Sequence, residues 1–213
     1  MKQFRVAWRN FFRSFVFFYE DFLLWAVLCL IQALALLTVI FAPPVFAGMN
    51  VVAYRAAQGK HSKFEHFWQG LRQYFWQSYK FFGIWAAVLV LLIFNIVFYF
   101  QYTTTTLRYL SFLWFSLAVM WVTILPYLFP VILETDPPSV KNVFRNTFII
   151  TFSHPVYTFS LLVQMLIFVL LALYVFTGIF VLLPALIALT GNLGMYYLIW
   201  GRVSPDDDSI ESL

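Results

Sequence analysis

The sequence predicts an all-α protein, a polytopic bundle of membrane helices, and its composition and charge pattern carry that prediction. Of the 213 residues, 63% are apolar or aromatic and only 10% are charged. Soluble domains have about 45–50% apolar and about 25% charged residues. The charged residues are also clustered, so that long uncharged stretches separate them. These features exclude a soluble enzyme of ordinary composition, a disordered chain and a nucleic-acid-binding arm.

Four uncharged stretches set the predicted membrane segments, and each exceeds the roughly 20 residues of one helical crossing. They are 22–54, 81–107, 109–133 and 146–201, the last interrupted only by His154. The second and third each fit one tilted helix, and the fourth holds two, with a break near Gly178. In the first, Pro43 and Pro44 end a helix. That makes 22–41 a full span and 44–58 a second helix of about 22 Å.

The positions of the basic residues predict which helix ends face the cytoplasm. If 44–58 returns the chain to its starting side, every one of the 13 Lys and Arg residues except Arg108 lies on that side. The positive-inside rule favours this arrangement, with both termini and residues 55–80 cytoplasmic. A re-entrant segment gives the same assignment, so six membrane helices, or five and a re-entrant segment, both stay open. The basic leader before the apolar stretch favours an uncleaved anchor over a signal peptide.

A faint internal repeat divides this single integral membrane domain into three units. The units are 1–58, 59–133 and 134–203, followed by an acidic cytoplasmic tail at 204–213. A shift of 60 residues superposes Trp8 on Trp68, and a shift of 136 lays Phe144 on Trp8. Each unit would be an amphipathic segment followed by a helical hairpin.

The first two amphipathic segments are predicted to lie at the membrane surface. In the first, four basic residues fall within an arc of about 80°, opposite an arc of aromatic residues. Such a helix faces anionic headgroups with its cations and places tryptophan at headgroup depth. The predicted interface residues are Lys2, Arg5, Trp8, Arg9, Arg13, Trp68 and Arg72. Packing of these aromatic residues between protein helices is the open alternative.

The order of features in the first half resembles a known family. Trp25 in the first span is followed by the break Phe41-Ala42-Pro43-Pro44, by Tyr54-Arg55, and by the aromatic stretch that begins Phe67-Trp68-Gln69-Gly70. Over residues 1 to about 100 this pattern is similar to the YesL-like family of small bacterial integral membrane proteins, classed as a domain of unknown function. The resemblance implies a bacterial cell membrane and an accessory role in carbohydrate uptake or utilisation, in association with a sugar transporter. It implies no catalytic residues.

No catalytic, cofactor or metal site is predicted. The predicted spans contain no Asp or Glu, whereas ion-coupled transporters and metal sites usually place carboxylates there. His61 and His66 flank Glu65 at a spacing that does not form a zinc-binding helix, and the stretch 191–194 lacks the lysine of a phosphate loop. His154 precedes a proline at a helix start, which fits a capping role. We therefore expect no enzyme activity, no cofactor and no nucleic-acid partner.

Uncharged polar residues within the spans are the remaining functional candidates. They are Gln32, Asn50, Tyr54, Asn95, Gln164, Asn192 and Tyr196. Buried amides usually form interhelical hydrogen bonds worth about 0.6 kcal/mol, and the alternative is a polar path. Asn50 and Asn192 each precede a tyrosine by four residues on a helix that follows proline. We expect these two amides to meet inside the bundle, where small residues such as Gly191 would allow close backbone approach.

Two functional hypotheses follow from this pattern. An accessory or scaffold protein needs helix faces for partners and for anionic lipid but no path through the protein. A facilitator or channel for a neutral solute needs a wet polar lining, which only the amides, threonines and tyrosines would supply. A homo-oligomer is compatible with both.

Overall fold

The computed structural model describes residues 2–102, 105–136, 138–175 and 182–200, and these ranges are all-α. They form ten helices: α1 (Lys2–Glu20), α2 (Phe22–Thr38), α3 (Ala42–Ala57), α4 (Phe64–Gln73), α5 (Phe75–Phe100), α6 (Thr105–Thr123), α7 (Leu125–Glu134), α8 (Val140–Ser153), α9 (Pro155–Val175) and α10 (Leu183–Trp200). The all-α part of the predicted fold is confirmed. The predicted break near Gly178 and the tail 204–213 lie outside the described residues, and the threefold repeat stays a prediction.

One of the described helices, α5, is by itself long and apolar enough to cross a bilayer. Its 26 residues span about 39 Å. Three consecutive pairs meet the requirements of length and apolar composition only together, and each pair is bent: by 100° between α1 and α2, 40° between α6 and α7, and 93° between α8 and α9. Counting every bent pair as one span gives at most four among the described residues. A membrane-capable helix is therefore present, while six spans are not confirmed.

Two indole side chains join α5 and α6 by hydrogen bonds near the open end of their hairpin. Trp85 donates its Nε1 proton to the Trp121 carbonyl at 3.2 Å, and Trp121 donates to the Trp85 carbonyl at 2.8 Å. Each indole thus satisfies its polar edge within an apolar surrounding. Beyond this contact, α5 carries exposed apolar side chains, including Val90 and Phe94, each 65% exposed.

The helix α1 has three faces, where the sequence predicts two. Arg5 and Arg9 are exposed, and the aromatic face, which includes Phe4, is largely exposed or half-buried. A third face, which spans about 100° around the helix, is buried against α9 and α10. It consists of Val6, Ala7, Asn10 and Ser14. The hydropathy pattern does not reveal this face because its residues are small or polar.

The helices α3 and α4 lie against each other through glycines. A Cβ atom on Gly48 would lie 2.8 Å from the Phe67 ring, and one on Gly70 would lie 2.6 Å from a Val51 methyl group. In a bilayer, where lipid tails are as apolar as leucine, such close van der Waals packing is a main source of helix association. The buried part of α4 thus faces protein, although the predicted interface residues Trp68 and Arg72 are exposed.

The turn between α2 and α3 lies beside the beginning of α5. The Tyr79 hydroxyl donates to the Ile40 carbonyl at 2.7 Å, which holds the turn next to the first turns of α5. The predicted threading puts Ile40 at the far end of a full span and keeps residues up to 80 in the cytoplasm. The contact favours the re-entrant alternative, which the sequence leaves open, over a full crossing by 22–41. Charge and hydropathy assign sides to segments, but only a tertiary contact shows how deep a hairpin reaches.

Candidate functional site: the polar core around α10

Two buried amides form the centre of the candidate site. The Asn192 side chain on α10 donates through Nδ2 to Oδ1 of Asn50 on α3 at 3.0 Å, and both residues are 1% exposed. Each amide nitrogen also bonds its own helix, Asn192 to the Ala188 carbonyl at 2.7 Å and Asn50 to the Phe46 carbonyl at 2.9 Å. The predicted meeting of Asn50 and Asn192 is confirmed, and it joins α3 to α10 by a side-chain hydrogen bond.

The residue before Asn192 brings α10 against α7. A Cβ atom on Gly191 would overlap the carbonyl oxygen of Pro126, so only glycine fits. Pro130 lies four residues after Pro126 inside α7 and has no N–H, so that carbonyl lacks its usual helical donor. The Gly191 Cα–H group points at the same oxygen, and such contacts recur at helix–helix interfaces. The glycine and the two prolines together explain this close crossing.

The residues after Asn192 contact α1 and α9. Asn10 on α1 donates through Nδ2 to the Tyr157 hydroxyl at 2.9 Å and, at 3.5 Å, to the Leu193 carbonyl. A Cβ atom on Gly194 would lie 2.9 Å from that hydroxyl. The four consecutive residues 191–194 therefore contact α7, α3, α1 and α9 in turn. Sequence reasoning missed Asn10 and Tyr157, because Asn10 lies in a leader that the charge pattern assigns to the membrane surface.

A second set of hydroxyls lies next to this centre. The Tyr127 and Thr158 hydroxyls are 3.3 Å apart, and Thr158 Oγ1 donates to the Thr151 carbonyl at 3.0 Å. All three residues are buried. The Thr158 bond crosses the sharp bend between α8 and α9, where the helical hydrogen-bond ladder is interrupted. These contacts hold the bend in one geometry and connect it to α7.

The remaining predicted polar residues are not part of this centre. Gln32 is buried and donates to the Ala42 carbonyl at 3.4 Å. Asn95 donates to the Leu91 carbonyl of its own helix at 2.8 Å. Gln164 is 2% exposed, and its Nε2 has no partner among the described residues. Tyr196 is half-buried.

Tyr54 is half-buried near the C-terminal end of α3, outside the polar centre that contains Asn50. Its hydroxyl donates to the Glu134 carboxylate at 2.9 Å. Glu134 also lines a cavity of about 280 Å³ together with Thr135, Asn146 and Met195. Nearby, burial and the charge of Asp136 raise the pKa of Tyr74, which links α4 to α5. The i, i+4 spacing predicted a shared face for Asn50 and Tyr54 but not their difference in exposure.

The predicted interface residues keep their side chains near the surface where the structure describes them. Arg72 stacks over the Trp68 ring at 5.1 Å, and both are exposed. Trp8 is half-buried, and its indole nitrogen is buried without a partner among the described residues. Arg13 lies over the Phe17 ring at 5.5 Å. The structure describes the backbone of Lys2 but not its side chain.

The described cavities and titratable groups give no chemical centre. Neither Asn50 nor Asn192 lines the cavity beside Glu134 or the groove between α2 and α4. Within those same ranges, no three His, Cys, Asp or Glu side chains come together as a metal site would require. Cys29 is free and buried. The arrangement of the amides is thus suited to holding helices together.

Comparison of the chain with family models, curated proteins and solved structures gives no match in any of the three. The resemblance to the YesL-like family therefore stays a prediction that rests on the residues quoted above.

Proposed function

We propose that the chain is a non-enzymatic integral membrane protein that serves as an accessory or scaffold component. Its partners would be other membrane proteins and a bilayer with anionic headgroups. The connection to carbohydrate uptake or utilisation, and to a bacterial cell membrane, comes from the family resemblance alone.

The observation that supports a scaffold is the use of the buried amides. Both donor hydrogens of Asn192 have acceptors, on Asn50 and on Ala188, within a closed contact between two helices. A path for a polar solute needs such groups to face an opening. The outer surface of α5, by contrast, offers a long apolar face to lipid or to a partner helix.

The membrane threading that we propose is built from hairpins. The pairs are α2 with α3, α5 with α6, and α9 with α10. Each pair returns the chain to the side of the membrane from which it entered, whether the hairpin crosses or re-enters. Both termini therefore lie on the same side. The charge pattern makes that side the cytoplasm. The contact between Tyr79 and Ile40 supports re-entry of the α2–α3 hairpin. This threading keeps every basic residue except Arg108 on the cytoplasmic side.

The alternative function, a facilitator for a neutral solute, has support from acceptors that lack partners among the described residues. These are Oδ1 of Asn10, Oδ1 of Asn192 and Oε1 of Gln32. If they line a path that opens transiently, liposomes that contain the protein should take up neutral sugars.

Two measurements on the full chain separate the functions. We expect co-purification from native membranes in mild detergent, followed by mass spectrometry, to recover a stoichiometric membrane-protein partner. We expect proteoliposomes to take up neutral sugars no faster than protein-free liposomes. Uptake above that baseline that Asn192→Leu abolishes, without a recovered partner, would overturn the scaffold proposal in favour of the facilitator.

A further inference from the structure

An apolar groove lies between α2 and α4 above the surface of α3. Its volume is about 390 Å³, within the range of about 300–1,000 Å³ that is typical of ligand sites. Its walls include Ile31, Leu34 and Ala35 from α2, and Phe67, Trp68 and Leu71 from α4. The hydroxyl of Thr38, which also lines it, donates to the Ala35 carbonyl of its own helix at 2.7 Å. The groove therefore suits an apolar chain and offers little to a polar ligand.

The floor of the groove is held in place by the glycine contacts between α3 and α4. Phe67 is 1% exposed and lies against Gly48, where even a methyl group would collide with its ring. Gly70 is packed on Val51 in the same way. Because α4 cannot move closer to α3, and α2 also packs on α3, a space remains between α2 and α4.

The rim of the groove carries a cation next to one of its wall residues. The Arg72 guanidinium lies 5.1 Å from the centre of the Trp68 ring, and that ring is part of the groove wall. Both side chains are exposed, so the cation is accessible. An amphiphile with an anionic headgroup and an apolar tail would match both features, because its tail fills the groove while its headgroup meets Arg72.

We infer that the groove between α2 and α4 binds one acyl chain of an anionic glycerophospholipid, with the lipid phosphate beside Arg72. Trp and Arg side chains prefer the headgroup level of a bilayer, and the acyl chains lie directly beneath it. The bound lipid would fill an apolar space that an empty groove leaves without contacts. The inference rests on the membrane placement proposed above and adds a specific ligand to it.

Native mass spectrometry of the full chain, extracted in mild detergent, tests this inference. The protein is titrated with phosphatidylglycerol or with phosphatidylcholine of the same chain length. For the first lipid molecule bound, we expect the affinity for phosphatidylglycerol to be about fivefold higher than the affinity for phosphatidylcholine. That factor is the effect of one basic residue near an anionic headgroup. Arg72→Gln should remove that preference. Arg108→Gln is the matched control, because Arg108 also stacks on an aromatic ring, that of Phe100 at 5.8 Å.

A groove-filling variant gives the second arm of the test. Ala35→Phe places a ring inside the groove and should abolish the first lipid-binding event, whereas Ala87→Phe on the exposed face of α5 should leave it unchanged. Should Ala35→Phe fail to fold, Leu34→Trp at the exposed wall replaces it. Equal lipid binding by the groove variant and the wild type would overturn the inference. A wild-type dimer that the groove variant loses would assign the groove to a second copy instead.

The outcomes separate this inference from the membrane proposal. Recovery of the chain without detergent in the soluble fraction would refute the membrane placement. Recovery from membranes with unaltered lipid binding in the groove variant would refute only the lipid site.

Discussion

Removal of the hydrogen bond between Asn50 and Asn192 should destabilise the helix bundle in a coupled way. Asn50→Leu leaves one Asn192 donor hydrogen without its acceptor in a buried position, and an unsatisfied buried polar group costs about 1–3 kcal/mol. Asn192→Leu likewise leaves Oδ1 of Asn50 without the hydrogen that Asn192 donates. We expect each single variant to lose about 1 kcal/mol of unfolding free energy or more.

The variant that combines Asn50→Leu with Asn192→Leu shows whether the two amides interact. Once one partner has been replaced, replacement of the second by an apolar group of similar shape should change the unfolding free energy little, because it leaves no buried polar group unsatisfied. The combined cost should therefore be smaller than the sum of the two single costs. Interhelical hydrogen bonds in membrane proteins average about 0.6 kcal/mol, with a maximum of about 1.7 kcal/mol. We expect a coupling energy within that range, because residues in direct contact are not additive.

The assay is reversible unfolding of the full chain in mixed micelles, applied to the wild type, both single variants and the double variant. Asn95→Leu supplies the control, because its amide bonds the Leu91 carbonyl of its own helix. Combined with Asn192→Leu, it should give additive free energies. The reasoning would be refuted by single variants that unfold like the wild type, or by a coupling no larger than that of the control pair.

Further predictions concern the contacts around α10 and the leader. Gly191→Ala should cost about 1–3 kcal/mol of unfolding free energy, because its Cβ would collide with the Pro126 backbone; Gly83→Ala, where the new methyl group meets nothing within 4 Å, should be neutral or stabilising. Tyr157→Phe should cost about 1 kcal/mol through loss of its bond with Asn10, measured in the same micelles. In a peptide of residues 1–20, replacement of the four basic residues by Gln should weaken binding to anionic vesicles by about 1 kcal/mol per residue. Those residues are Lys2, Arg5, Arg9 and Arg13.

Each of these predictions has a clear contrary result. Equal unfolding free energies for Gly191→Ala and Gly83→Ala would contradict the close crossing of α7 and α10. A Tyr157→Phe variant as stable as the wild type would remove the argument for an anchoring role of Asn10. Binding of the native peptide to anionic and neutral vesicles alike, independent of salt, would contradict the electrostatic account of the leader.

The interior amide contact could be predicted from sequence because its signals are local. Asn50 and Asn192 lie in uncharged helical stretches, where a polar side chain needs a partner within the protein. Gly191 next to Asn192 indicates close backbone approach. These features need no knowledge of the tertiary arrangement, since an amide in hydrocarbon is costly wherever the helix lies.

The inner face of α1 and the depth of the first hairpin could not be predicted in the same way. The face that contains Asn10 and Ser14 has no apolar signal, so the stronger charge and aromatic patterns on the same helix conceal it. The position of Ile40 beside Tyr79 depends on how α4 returns along α3, and that return depends on Gly48 and Gly70. Such packing joins residues that are distant in the chain.

The membrane threading is the central claim, and cysteine accessibility tests it most directly. In a Cys29→Ser background, single cysteines are placed at Ile40, His61 and Gln101, which are all exposed in the structure, and intact cells are treated with an impermeant thiol reagent. The account predicts that Gln101→Cys reacts, while Ile40→Cys and His61→Cys stay protected until the membrane is permeabilised. Reaction of Ile40→Cys in intact cells to the same extent as Gln101→Cys, with His61→Cys protected, would contradict it.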